Sequence, residues 1–168
     1  TQSYVVPFLV PMLENAGANV LLPRERDYTL QEVIVDNDGS TGDSFYNEKE
    51  GKEPWEPTEA TGFAHVKPVY LDGENPFQMG SARQVKTITK GEESLAEWIP
   101  AIPQKGKYGV YVSYQTKKNS ADDALYSVYH SGGRTDFHVN QQMGGGTWIF
   151  LGYFHFDEGN GHKITLSN

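Results

Sequence analysis

From about Leu30 onward the chain is cut into short runs rich in Val, Ile, Tyr, Phe, Trp and Thr, separated by Gly, Pro, Asn and Asp. That rhythm restricts it to short strands and tight turns, the pattern of a sandwich or barrel. The strand candidates are residues 31–36, 61–66, 82–88, 94–99, 107–115, 124–130, 135–140, 147–156 and 162–166. In one of them Tyr108, Val110, Val112 and Tyr114 share a face, while Tyr111 and Ser113 take the other, so one side is expected to be buried. Ser131-Gly132-Gly133-Arg134 reads as a hairpin turn, with the paired glycines supplying positive φ, and residues 143–146 as a second turn. Residues 39–57 are polar and acidic and read as a long surface loop.

The start has a different grammar. Tyr4, Val5, Phe8, Leu9, Met12 and Leu13 recur at helical spacing, Pro7 marks a start or kink, and Gly17 marks the end. A short apolar strand, residues 18–23, follows, so residues 1–29 read as a helix-strand fragment of an α/β unit and residues 30–168 as the sandwich. The apolar helix face is expected to pack on the sandwich or on a second copy of the chain, giving a homodimer.

Composition removes several classes of function. A formal charge of −8 opposes a surface that tracks phosphates, so nucleic acid is an unfavourable partner. The absence of cysteine excludes disulfides and thiol chemistry. No run approaches the ~18 apolar residues of a membrane span. The opening lacks the features of a signal peptide, and the chain reads as mature protein or an excised piece.

Two segments carry resemblances. Ala96-Glu97-Trp98-Ile99-Pro100-Ala101-Ile102-Pro103, Gly106-Lys107-Tyr108-Gly109-Val110-Tyr111-Val112-Ser113-Tyr114, Ala124-Leu125-Tyr126-Ser127-Val128-Tyr129-His130, Val139-Asn140-Gln141 and Gly146-Thr147-Trp148-Ile149-Phe150-Leu151-Gly152 follow one another in order. Together with the opening Val33-Ile34-Val35-Asp36-Asn37-Asp38, they resemble the golvesin / xanthan-lyase carbohydrate-binding-like domain. The resemblance implies a jelly-roll-like antiparallel β-sandwich appended to a secreted bacterial protein. Leu9-Val10-Pro11-Met12-Leu13-Glu14-Asn15-Ala16-Gly17-Ala18-Asn19-Val20, with Arg24 and Asp27, is similar to part of zinc-dependent N-acetylmuramoyl-L-alanine amidases. No zinc ligand of that family can be matched here, so this resemblance implies an amidase-like parent and no catalysis by this chain.

Individual residues divide between binding and structural readings. Trp98 and Trp148 lie in apolar strand-like runs and are read as core. Trp55, Tyr46 and Tyr70 are candidates for stacking on a sugar, Trp55 and Tyr46 because their polar loop would leave the rings partly exposed, and for all three folding back onto the sandwich is an equal alternative. Arg134 and Gln142, near Asn140 and Gln141, can hydrogen-bond sugar hydroxyls, although the amides equally cap strand ends. Asp36, Asp38 and Asp43 make a carboxylate cluster that could hold a structural calcium, but the spacing fails the EF-hand pattern and an Asx-rich turn is preferred. His138 and His155 are placed where they could meet across a sheet, with separate hydrogen-bonded histidines preferred. No nucleophile elbow, phosphate loop or singled-out carboxylate pair is present.

The reading is a mostly β, non-catalytic module of a secreted, periplasmic or cell-surface bacterial protein, placing an attached hydrolase or lyase on a glycan such as peptidoglycan or an acidic polysaccharide. The alternative is an architectural spacer or protein–protein module packed against an amidase-like domain.

Overall fold

A computed structural model describes Ala16 and residues 32–64, 74–91 and 93–168. The chain separates into two compact units, Thr1–Glu32 and Val33–Asn168, and the architecture below is that of the second. The helix and strand expected over residues 1–29, the packing expected of that helix, and Tyr70 all lie outside the described residues.

The described residues are mostly β, and every strand pair is antiparallel. Five strands form the main sheet: β1 (Phe45–Lys49), β4 (Leu95–Ile99), β9 (Lys163–Ser167), β6 (Ala124–His130) and β7 (Gly133–Val139), in the order β1-β4-β9-β6-β7. Two ribbons accompany it, β2 (Glu56–Gly62) with β3 (Gly80–Gln84), and β5 (Gly106–Val112) with β8 (Ile149–Phe156).

The core lies between the main sheet and the β5–β8 ribbon. Val128 and Ile164 from the sheet meet Val110, Phe154 and Phe156 from the ribbon, and Tyr126, Trp98 and Leu166 meet Val112, Ile149 and Leu151. Alternation explains who faces inward. Tyr108, Val110 and Val112 point to the core as their spacing requires, leaving Lys107, Gly109 and Tyr111 outward. Val128 is wholly buried and Tyr126 nearly so, and β6, flanked by β9 and β7, thus supplies the largest fully buried apolar side chains of the sheet.

The β6–β7 hairpin forms where expected, with His130 opposite Gly133 across a two-residue turn. Its positive φ, 120°, belongs to Gly133 rather than to both glycines. Two expectations need correction. Residues 39–57 are not one long loop, because Phe45–Lys49 pairs with Leu95–Ile99 as an edge strand. Its polar residues conceal it: Tyr46 packs its ring on Trp98 at 5.5 Å, and Asn47 hydrogen-bonds Glu97 at 3.2 Å. Of the strand expected over 31–36, residues 32–36 contribute only the isolated bridge Val35–Ser40, which closes a tight turn through Asp36.

Candidate functional site

Two surfaces carry groups beyond those needed for the core. The first is an open polar groove of about 410 Å³ between the edge strand β1 and the β2–β3 ribbon, lined by Asn37, Asp38, Tyr46, Asn47, Glu48, Ser81 and Arg83. Its polar atoms are largely committed to one another. Arg83 grips Glu48 with two parallel bonds of 2.7 Å, and Tyr46 donates its hydroxyl to the same carboxylate at 2.7 Å. Hydrogen bonds from Arg83, set against burial, hold the Glu48 carboxyl below its usual range. Burial together with the bond to Glu48 pushes the Tyr46 hydroxyl up. Asp38 is held by the Ser81 hydroxyl at 2.6 Å and by the Ser81 backbone N–H. The groove therefore joins the ribbon to the sheet, and its donors and acceptors are spent inside the protein.

The second surface is the outward face of the β5–β8 ribbon. Tyr111, Phe150 and Tyr153 are 48%, 47% and 63% exposed there. Their rings form a continuous strip, Tyr111 to Phe150 at 5.1 Å and Phe150 to Tyr153 at 5.0 Å. The strip owes its continuity to a bulge. Val110 pairs with Gly152, yet the next residue, Tyr111, pairs with Phe150, so Leu151 is the extra residue of β8. Counting by twos back from Tyr153 would place Leu151 outward and Phe150 in the core. The bulge reverses this, sending Leu151 and Ile149 inward and setting Phe150 beside Tyr153.

Gly109 forms the floor of the strip. It lies opposite Tyr153 in the register, and a Cβ there would stand 3.2 Å from the Tyr111 ring and 3.3 Å from the Tyr153 ring. Without a side chain at this position the three rings can close over the backbone. At one end of the strip the Lys107 ammonium sits 5.1 Å from the centre of the Tyr153 ring.

Of the binding and metal candidates singled out in the sequence, Tyr46 and Asp38 come together in the groove, and among the described residues none of them lies on the aromatic strip. Tyr46 lines the groove, but Trp55 is only 7% exposed, and its indole N–H finds no partner among the described residues. Of the two readings of Trp55, the structure takes the second: the loop folds back and buries the ring, which is not left partly exposed. Trp148 departs in the opposite sense. Expected in the core, it is 37% exposed and clustered with Phe63 at 4.8 Å and Phe77 at 5.7 Å.

Arg134 lies on β7 of the main sheet, committed to Asp136 by two bonds of 2.6 Å. Gln142 donates to the Ser120 carbonyl, and its backbone N–H is taken by Asn140, so these amides tie the loop after β7. Among the described residues no group of three or more His, Asp or Glu is placed to hold a metal, so Asp36, Asp38 and Asp43 are not brought together as a cage. His138 and His155 lie in different sheets and do not meet. Nothing in the strand pattern singled out Phe150 and Tyr153; the alternation signal is broken at the bulge that exposes them.

Comparison with known proteins gives this arrangement a setting. A xanthan lyase from Bacillus sp. (strain GL1) is 34% identical over 79 residues, which are 47% of this chain and 8% of that protein. A solved structure of a Paenibacillus xanthan lyase superposes on 80% of this chain and 11% of its own, with a TM-score of 0.57 and 27% identity. The chain thus matches only a small part of the length of these larger proteins. The model of the Golvesin C-terminal domain matches residues 73–168, more than half of the chain and all of β3 to β9. The chain belongs to the Golvesin C-terminal domain family.

Proposed function

We propose that this domain is a non-catalytic glycan-binding module of a larger secreted or surface-exposed bacterial protein that processes polysaccharide or cell wall, and that it binds through the outward face of the β5–β8 ribbon. The observation that carries this reading is the Tyr111–Phe150–Tyr153 strip. Rings left about half exposed on a strand pair whose other face is core are costly in water, and contiguous exposed aromatic surface marks an interaction site. Aromatic faces suit pyranose rings because the axial C–H groups of the sugar meet the π cloud while its hydroxyls stay in water. The similarity to parts of xanthan lyases supports polysaccharide as the class of partner. The reaction itself is assigned to other domains of the parent. An amidase parent rests only on the resemblance of the first residues, which lie outside the matched residues 73–168.

The test is retention on insoluble peptidoglycan and in gels cast with xanthan or polygalacturonate, comparing the wild type with Tyr153→Ala and Phe150→Ala. Retention by the wild type, lost in both variants while their unfolding midpoints hold, supports the reading. Failure of the wild type to be retained on any of these polymers moves the domain to the spacer class.

A further inference from the structure

We infer that the strip is built for an anionic glycan, with a carboxylate-bearing sugar stacked on Tyr153 and its carboxylate received by Lys107. This inference rests on the glycan-binding reading and specifies its ligand. Three observations carry it.

The first is the fate of the charges at this end of the ribbon. Lys105 and Lys107 lie two residues apart on and beside β5, and their environments differ. Lys105 is neutralised by Asp157, with its ammonium 2.7 Å from the carboxylate. Lys107 has no carboxylate partner among the described residues, and its ammonium rests over Tyr153 instead. In a chain of net charge −8, a cation left beside an exposed aromatic ring is a local exception to the prevailing charge. Its charge is available to an anion that approaches along the strip.

The second is register. Lys107 faces His155 across the strands, one outward pair beyond Gly109 and Tyr153. Outward pairs on a ribbon follow one another at about 7 Å, close to the width of one sugar ring. A pyranose lying on Tyr153 therefore brings a substituent on its rim within reach of Lys107, whose long stem can follow it. The exposed His155 adds a ring nitrogen as a further hydrogen-bonding group on the same side.

The third is the absence of a side chain at Gly109. Tyr153 is the most exposed of the three rings, and with no side chain opposite it the rings close over Gly109 into one continuous face. A sugar can lie on that face with no side chain rising between the rings.

The experiment measures affinity for xanthan and polygalacturonate, each as the native polyanion and after reduction of its carboxyl groups, using wild type, Lys107→Met, Lys107→Arg and Tyr153→Ala. Lys107→Met keeps most of the stem and removes the charge. The expected result is about two- to fivefold tighter binding of at least one native polymer than of its reduced form, as a solvated ion pair allows. Lys107→Met should erase that preference, native and reduced forms then binding alike, Lys107→Arg should retain it, and Tyr153→Ala should lose both forms. Equal binding of native and reduced polymers, or a preference that survives Lys107→Met, overturns the inference and leaves the glycan reading intact. Retention of no polymer in either form overturns both.

Discussion

Glu97 and Lys163 meet on neighbouring strands of the main sheet, the lysine ammonium 2.6 Å from a carboxylate that is only 4% exposed. Glu97 faces Asn47 on β1 and Thr165 on β9, and Lys49 and Lys163 each reach it from a diagonal position. With Lys49 at 3.0 Å and Asn47 at 3.2 Å, the carboxylate ties three strands together. Its burial is tolerable because several donors share its charge.

Removing that charge should therefore cost more than removing either lysine. Glu97→Gln should lower stability by about 1.5–3 kcal/mol, the range for hydrogen bonds to charged groups. Lys163→Met should cost less, about 0–1 kcal/mol, because the ammonium is partly solvated. In urea both variants should shift the midpoint at an unchanged slope. A Glu97→Gln midpoint equal to wild type would show that the network adds nothing.

The same carboxyl sets a pH dependence. Burial pushes it up, but hydrogen bonds from Lys163, Lys49 and Asn47 outweigh that and hold it down at about 2, against an ordinary value of 4.5. Because the folded value lies below the unfolded one, the stability it contributes is complete above about pH 4.5 and is lost as pH falls toward about 2. Melting temperature should decline across that interval, and Glu97→Gln should flatten the decline. An acid limb identical in the two proteins would assign it to other carboxylates.

Gly62 and Gly80 face each other where β2 and β3 close. A Cβ on Gly62 would fall 2.0 Å from the Ser81 carbonyl oxygen, and one on Gly80 would fall 1.9 Å from that of Phe63. Gly62→Ala should therefore spread the ribbon and cost about 1–3 kcal/mol as overpacking. Phe63 follows Gly62 directly and packs on Trp148, so the substitution should also alter Trp148 fluorescence. An unchanged midpoint and spectrum would show that the ribbon adapts without strain.

The three tryptophans differ in solvent access, which quenching can read. Acrylamide should reach Trp148 and leave Trp55 largely shielded. Trp148→Phe should remove most of the quenchable emission, whereas Trp55→Phe should leave it. The reverse outcome would place Trp55 at the surface.

Much of the architecture was legible because it rests on local chemistry. The 124–130 run coincides with β6, and the Gly132-Gly133 turn joins it to β7, since alternation and turn residues act over a few positions. β1 was hidden because Phe45–Lys49 satisfies its polar side chains through partners distant in sequence. Glu48 needs Arg83, and Asn47 needs Glu97.

Trp148 was misplaced, and the two readings of Trp55 were left open, for a related reason, whereas Trp98 packs on the core as expected. Composition of a segment does not say which way it folds back, and Trp55 went inward with its loop while Trp148 stopped short of β8.

By itself the sequence determined a mostly β chain of short antiparallel strands and the buried stripe Tyr108–Val110–Val112, because a period of two is written in consecutive residues. Only the tertiary structure decided which aromatic rings stand together on the outward face of the β5–β8 ribbon. One extra residue at Leu151 changes the side to which its neighbours point, and the strip forms where Tyr111 and Gly109 come from a different strand. A bulge is a property of two paired strands, and it exists only once their register is set.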